Sequence, residues 1–390
     1  MPGGAIHSAI TAQALLSNGI TDAEMLAKVY CSYPDYYFDH RHDEAAPYMF
    51  FCDGIQFHYP PHTPVEEFYR YWDRNKEGNY PFSTRPNDNI RHAEAGFRFY
   101  FDKVIALLRG NNRTEAWKYL GCLLHFLEDA VFGIHALEGA DGTDIFVLDR
   151  LSGSNVTKIL SGIELPEKCY TQTVEPHIIA DTVEEAVPLL YSRYVRGTAL
   201  SRLAVFDQAV RILYGTGQCS LEENMEKMFF TALSLVADTI ATIMAIAENT
   251  APRVENRKLS DFSPCHYPIG GSGGFALRRF EEQDNVISFG TNSAALLLYN
   301  IPEQVFSRFS ARVYADDITQ ATLHLINNGS MIQAVELEKN RETLIGIPAP
   351  GGSFGFKITS TAASGKIEIR NGFFQNKSVP ERDIFLFAFL

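Results

Sequence analysis

The sequence predicts an α + β chain of two domains, an all-helical N-terminal domain followed by an antiparallel β-sandwich. Up to about residue 250 the apolar residues recur at helical spacing. From about residue 280 they alternate with polar or small residues, which is the period of a half-buried strand. The run Gly-Gly-Ser-Gly-Gly at 270–274 lies between the two patterns and is typical of a linker or loop. We therefore predict a helical domain at 1–252, a linker or loop at 253–279 and a β-sandwich at 280–390.

Six stretches of the N-terminal half carry the helical pattern most clearly. They are 9–16, 23–29, 93–108, 114–130, 182–194 and Leu221–Glu248. The last stretch is followed by Pro252, which is an expected stop just beyond a helix end. Polar residues interrupt its apolar run, so we interpret it as a buried helix. No uninterrupted apolar stretch reaches the roughly 18–20 residues that a membrane span needs, and we expect no transmembrane segment.

The C-terminal half shows the alternation expected of strands. Phe354, Phe356 and Ile358 face one side of a strand, with small or polar residues between them. Asn328-Gly329 separates two such runs and predicts a tight hairpin turn. Several short strands joined by turns are typical of an antiparallel β-sandwich.

The composition excludes several classes of protein. A net charge of −13 disfavours a broad electrostatic surface for nucleic acid. The six cysteines form no Cys-x-x-Cys pair, which argues against a zinc ribbon and against a disulfide scaffold. The first residues lack the charged and apolar regions of a signal peptide. We therefore expect a soluble protein that is cytoplasmic or exported by a route that needs no signal peptide.

The residues that indicate chemistry are histidines and aspartates of the helical half. His125, Asp129 and His135 follow the spacing H-x3-D-x5-H, and positions four apart share one face of a helix. The flanking residues are leucine, phenylalanine and valine, so Asp129 is expected to be buried, where a carboxylate needs a cation or strong donors. His177 and Asp181 repeat the four-residue spacing at the start of another helix.

Two such pairs on facing helices indicate a metal site inside a helical bundle. Imidazole and carboxylate ligands without a thiolate favour Zn²⁺ in a catalytic site. A single His-x3-Asp pair is more often a surface hydrogen bond than a pair of ligands. The combination of two pairs with apolar flanks favours the metal.

These motifs resemble the zinc-dependent phospholipase C and P1-nuclease superfamily. The segment 119–129, Tyr-Leu-Gly-Cys-Leu-Leu-His-Phe-Leu-Glu-Asp, is similar to the stretch that carries the same ligands in phospholipase C. The segment 6–15 resembles the first helix of the family, which brings a histidine ligand near the N-terminus. Residues 57–61 resemble its His-Phe-Tyr-Asp-Pro turn, and Asp35 falls where the family has an aspartate ligand. Within the family, the bacterial zinc metallophospholipases C are the most similar group.

The resemblance implies two to three zinc ions. The ligands of the first would be Asp35, His58, His125 and Asp129, with Asp129 bridging. The ligands of the second would be His135, His177 and Asp181. The ligands of the third would be His7, Asp129 and the N-terminal amine. Asp35 and Asp129 would be the catalytic carboxylates; Asp53 remains an alternative to Asp35, and His62 an alternative to His58.

The same resemblance implies a function. The chain would be a phospholipase C that hydrolyses glycerophospholipids such as phosphatidylcholine to diacylglycerol and a phosphorylated headgroup, through a zinc-activated water. Its partner would be a phospholipid membrane surface, and the β-sandwich would bind membrane or carbohydrate. Two alternatives remain: a P1-type single-strand nuclease, and a non-catalytic membrane- or sugar-binding protein that zinc stabilises.

Overall fold

The computed structural model separates the chain into two compact units, Met1–Pro252 and Arg253–Leu390. The residues described are 4–38, 43–49, 51–52, 55–56, 86–132, 164–262, 264–266, 280–283, 285–290, 294–316, 321–360 and 366–377.

The first unit is helical, as predicted. Its described residues form the helices α1 Gly4–Ser17, α2 Glu24–Lys28, α3 Tyr33–Phe38, α4 Pro86–Arg109, α5 Arg113–Val131, α6 Val183–Tyr214 and α7 Leu221–Glu248. Short 3₁₀ turns are present at Tyr30–Ser32, Asp43–Tyr48 and Glu167–Tyr170. One small antiparallel pair, β1 Phe51–Cys52 and β2 Ile55–Gln56, interrupts the helices. The prediction of an all-helical domain did not include this pair.

Local sequence signals determine where the two longest helices begin and end. Ser220 and Glu223 form a capping box at the start of α7, and Asn249 ends that helix with a positive φ of 57°. Thr182 caps α6 by accepting a hydrogen bond from the backbone of Glu185, and Gly215 ends it with a φ of 68°. Each end therefore satisfies backbone groups that the helix itself leaves unpaired.

Helix α7 lies at the centre of this unit and packs against α1, α4, α5 and α6. It is the one helix among the described residues with the length and apolar composition of a membrane span. Of its most apolar window, 72% is buried inside the unit, as in the core helix of a globular protein. Helix α5 is also buried along most of its length, so the residues between Leu120 and Asp129 lie in the interior.

The second unit contains two antiparallel sheets. Its strands are β3 Asn256–Lys258, β4 Pro264–His266, β5 Phe280–Gln283, β6 Val286–Gly290, β7 Ala294–Ile301, β8 Phe306–Asp316, β9 Ala321–Asn327, β10 Ser330–Leu337, β11 Glu342–Pro348, β12 Gly352–Ser360 and β13 Lys366–Asn376. One sheet has the order β10-β9-β12-β7-β4. The other has the order β11-β8-β13-β6-β5, and β3 also pairs with β13.

Aromatic rings connect the two sheets. The ring centroid of Phe309 on β8 lies 4.8 Å from that of Phe354 on β12, and the ring of Phe374 on β13 lies 5.2 Å from Phe354. All three side chains are completely buried. The predicted hairpin is confirmed, since Asn328 and Gly329 join β9 to β10 with φ values of 50° and 72°.

The segment 253–279, predicted as a linker or loop, contains two short strands. Strand β3 pairs with β13, and β4 pairs with β7. Both strands have only three residues. Periodicity does not detect strands of this length, because pairing with distant residues stabilises them.

Candidate metal centre

Helices α1 and α5 bring five polar side chains together inside the helical unit. His125, Glu128 and Asp129 occupy positions i, i+3 and i+4 of α5 and so share one face. His7 and Thr11 occupy positions i and i+4 of α1 and also share a face. All five side chains have no solvent exposure. A group of ionisable residues at this depth requires close pairing or a cation.

The two histidines lie on either side of one carboxylate. His7 Nε2 is 3.3 Å from Asp129 Oδ1, and His125 Nε2 is 3.3 Å from Asp129 Oδ2. The two imidazole rings stack with their centroids 4.2 Å apart. One ligand atom from each of the three residues lies within 4.8 Å of the others. This is a spacing at which one ion can contact all three.

Hydrogen bonds to the other ring nitrogens determine which nitrogen faces Asp129. His125 Nδ1 lies 2.7 Å from the carbonyl oxygen of Cys31, which can only accept, so Nδ1 carries the hydrogen. His7 Nδ1 lies 2.7 Å from Glu128 Oε2. In a neutral imidazole whose Nδ1 donates, the lone pair is on Nε2. In their neutral forms, both histidines would therefore present a nitrogen that can ligate a metal to the same space.

The acid–base properties of His7 also indicate that a positive charge belongs there. Burial lowers the pKa of this imidazole, but its contacts with Asp129 and Glu128 outweigh burial and raise the pKa to about 10. Without an ion, a proton on His7 supplies the cation between the two carboxylates. Burial raises the pKa of Glu128, and its hydrogen bonds with His7 and Thr11 oppose that rise.

Asp35 lies at the edge of this cluster. Its Oδ1 is 3.8 Å from His125 Nε2, and its side chain is 15% exposed, whereas the other members are fully buried. Among the described residues, no group makes a hydrogen bond with Asp35 Oδ1 or with His7 Nε2. The structure thus brings Asp35 beside His7, His125 and Asp129, four of the residues that the resemblance implies as ligands.

His177 and Asp181 have a different environment from the one predicted. They precede α6, which begins at Val183, so the prediction that they lie at the start of a helix and share its face is wrong. The His177 side chain is 69% exposed. Its backbone N–H donates to Asp238 Oδ1 at 2.7 Å, and Asp238 also pairs with Arg193. That these two residues bind a second zinc remains a prediction.

The remaining predicted ligands lie outside the described residues. They are His58 and His135, together with the alternatives Asp53 and His62 and the N-terminal amine.

Sequence reasoning missed three contributors to the cluster. Glu128 holds His7, Thr11 donates a hydrogen bond to Glu128, and the carbonyl group of Cys31 holds His125. Gly121, one helical turn before His125, permits the last contact, since a Cβ there would lie 2.4 Å from the carbonyl carbon of Tyr30. The position of Glu128, three residues after His125 in an apolar run, was a signal that could have identified it.

No protein-family model matches the chain, and no curated protein matches it. Among solved structures, the alpha-toxin of Clostridium perfringens from avian strain SWCP is 11% identical with a TM-score of 0.30, covering 92% of this chain and 83% of the toxin. The alpha-toxin of Clostridium absonum is 10% identical with a TM-score of 0.31, covering 98% of this chain and 96% of the toxin. Nothing about the function of this chain follows from similarities at this level.

Proposed function

We propose that this chain is a zinc-dependent hydrolase of phosphodiesters, and specifically a phospholipase C that acts on glycerophospholipids. The observation that carries the proposal is the buried cluster of His7, His125 and Asp129. Three ionisable groups from two helices meet where water does not reach, and such an arrangement is costly unless a ligand uses it. Nitrogen and oxygen ligands without sulfur favour zinc in a catalytic role.

The distances within the cluster fit a zinc ion. Two ligands of one tetrahedral zinc, each about 2.0–2.1 Å from the metal, lie about 3.3 Å apart. His7 Nε2 is at this distance from Asp129 Oδ1, and His125 Nε2 is at the same distance from the other oxygen, Oδ2. One ligand atom from each of the three residues lies within 4.8 Å of the others, so a single ion can reach all three. Three protein ligands are the usual number at a catalytic zinc, where the fourth position takes water or substrate. These ligands account for one ion, and we propose that further ions involve the predicted ligands that this cluster does not include.

Asp35 supports a catalytic rather than a purely structural role for the ion. Among the described residues, Asp35 is the partly exposed carboxylate beside the cluster, so its side is where water and substrate would enter. When bound, zinc supplies a Lewis acid that polarises a phosphoryl oxygen and lowers the pKa of water. Asp35 would orient the attacking water and accept its proton, and Asp129 would hold both histidines in place. We propose these as the roles of the two predicted catalytic carboxylates.

The choice of phospholipid over nucleic acid has two supports. The net charge of −13 opposes the counterion release that drives binding to a polyanion. The segment 119–129 resembles the corresponding stretch of zinc-dependent phospholipase C. We also propose that the second unit of the chain contacts the membrane surface.

A parallel assay tests the proposal. The zinc-loaded protein is given phosphatidylcholine vesicles and single-stranded DNA, each with and without a zinc chelator. We expect diacylglycerol from the vesicles, its loss with chelator and its return when zinc is restored. Cleavage of DNA without diacylglycerol would establish the nuclease instead. Zinc-dependent thermal stabilisation without turnover of either substrate would leave only a structural metal.

A further inference from the structure

We propose that Glu128, held in place by Thr11, is the positioning residue that orients His7 and strengthens it as a metal ligand. The inference rests on the metal site of the proposed function, but its test needs no catalytic turnover. Glu128 is completely buried on α5, immediately before Asp129 in sequence. It is not one of the three residues, His7, His125 and Asp129, whose atoms could hold one ion.

Both carboxylate oxygens of Glu128 are already occupied. Oε2 lies 2.7 Å from His7 Nδ1, and Oε1 accepts a hydrogen bond from Thr11 Oγ1 at 2.6 Å. Glu128 would therefore act on a bound ion through its hydrogen bond with His7 Nδ1, the ring nitrogen that points away from Asp129. Since His7 Nδ1 is held there, Nε2 points towards Asp129 Oδ1, 3.3 Å away. With a metal bound at Nε2, Glu128 and His7 would form a carboxylate–histidine–metal triad.

Thr11 makes the arrangement rigid. It lies one turn after His7 on α1, so both side chains face Glu128 on the opposing helix. The hydroxyl satisfies the oxygen that His7 cannot reach, so no carboxylate oxygen is left buried without a donor. A single carboxylate thus bridges two positions of α1 and restricts the rotation of the His7 ring.

The two histidines of the cluster are supported differently. The partner of His125 Nδ1 is the neutral carbonyl of Cys31, at 2.7 Å. The partner of His7 Nδ1 is a carboxylate, and the buried charge makes the imidazole a stronger electron donor at Nε2 than a carbonyl partner does. Glu128 costs more folding free energy than the Cys31 carbonyl does, because it places a second carboxylate beside Asp129 in the interior. A purely structural hydrogen bond would not need that charge.

Zinc affinity measured by competition with a chromophoric chelator tests this role. Glu128→Gln keeps the size of the side chain and removes its charge, and we expect zinc to bind about 10- to 100-fold more weakly. Thr11→Val, which removes the hydroxyl, should weaken zinc binding less than Glu128→Gln does. Thr11→Ser keeps the hydroxyl and should bind zinc with wild-type affinity. The matched control is Thr239→Val, since among the described residues the buried hydroxyl of Thr239 bonds to the backbone of its own helix at Leu235.

Two further readouts separate positioning from general stability. With zinc chelated, denaturant unfolding measures what each variant does to the metal-free fold. At saturating Co²⁺, the absorption spectrum reports ligand geometry, and we expect it to differ between Glu128→Gln and wild type. Affinity within about twofold of wild type with an unchanged spectrum would overturn the proposal, because loss of an outer-sphere partner of this kind typically weakens metal binding about 10- to 100-fold. If Glu128→Gln does not fold, Thr11→Val with wild-type affinity overturns it equally. If the wild type binds no zinc, the proposed function fails as well.

Discussion

The two units of the chain have interiors of opposite chemistry. The helical unit buries His7, His125, Glu128 and Asp129 together in one place. Among the described residues of the second unit, the buried polar side chains are all uncharged, and phenylalanine rings fill the space between the sheets. The charged pairs of that unit, such as Arg370 with Glu368, lie at its partly exposed surface.

We propose that the helical unit carries the metal chemistry, whereas the described interior of the second unit contributes packing. Packing aromatic and aliphatic groups stabilises a fold without specific partners. Burying several ionisable groups contributes little to stability and is often worse than an apolar core of the same shape. Burying this cluster therefore costs the helical unit folding free energy that a bound ligand would have to offset. The described interior of the second unit has no such cost. Substitutions in the two units should affect different quantities.

The largest effect is expected at Asp129, which contacts both histidines. Asp129→Asn removes the charge that an ion needs and leaves the shape of the side chain almost unchanged. We expect zinc affinity to fall by more than the roughly 10- to 100-fold typical of an outer partner, and phosphodiester hydrolysis to disappear. Chelator competition and the vesicle assay measure the two effects. The control is Asp22→Asn, an exposed aspartate paired with Arg113, which should behave as wild type. Near-normal turnover in Asp129→Asn would refute the central role of this carboxylate.

The next largest effect is expected in the second unit, at Phe309. Phe309→Ala removes a ring that contacts Phe354, Phe356 and Phe374, and we expect a loss of about 3–5 kcal/mol in unfolding free energy. Phe373→Ala, at a partly exposed neighbour of Phe374, should cost much less.

The positions of the two tryptophans offer a way to assign this loss of stability to one unit. Both tryptophans of the chain lie within 1–252, so tryptophan fluorescence follows the helical unit, and the β-sheet circular dichroism signal follows the other. Zinc affinity should be unchanged in Phe309→Ala. A shift of the tryptophan transition in that variant would show that the two interiors are not independent.

The sequence predicts best where the signal is local. His125 and Asp129 were identified because four-residue spacing and apolar flanks are both visible within one helix. The strand pattern around Phe354 and the Asn328-Gly329 turn were found for the same reason. That His7 meets Asp129 depends on the packing of α1 against α5, which no local pattern encodes, and only the resemblance pointed to it.

The error at His177 and Asp181 also has a local explanation. Thr182 and Glu185 form the S/T-x-x-E pattern of a helix N-terminus, and the structure has Thr182 as the cap of α6. That signal places Asp181 before the helix, so the four-residue spacing of His177 and Asp181 does not put them on one helical face. The order of the strands, with β12 between β7 and β9, could not be predicted in the same way, because strand order depends on long-range pairing.

Gly121 provides a sharper test of how the metal centre is supported. A Cβ at this position would lie 2.4 Å from the carbonyl carbon of Tyr30, so Gly121→Ala must displace the turn that carries the Cys31 carbonyl. We expect about tenfold weaker zinc binding and a loss of about 1–3 kcal/mol in the stability of the helical unit. Gly4→Ala is the control, since its Cβ would make an ordinary 3.6 Å contact with Ser32 Oγ in the same turn. Wild-type zinc affinity in Gly121→Ala would mean that His125 does not depend on the Cys31 carbonyl.

The smallest effect is expected for surface charges of the second unit. Glu342 lies 3.3 Å from Arg312 Nη1 and 3.6 Å from Arg370 Nη1, with about a third of each side chain exposed. Glu342→Gln should cost less than about 1 kcal/mol, because solvent and salt screen exposed pairs and their side chains lose entropy when they pair. Urea unfolding followed by the β-sheet signal, at low and high salt, measures this cost, which should shrink as salt increases. A loss above about 2 kcal/mol, roughly double the upper range for exposed pairs, would contradict the expectation that packed rings dominate the stability of the second unit. Surface charges of the second unit would then stabilise its fold by an amount that we expect only from its packed aromatic rings.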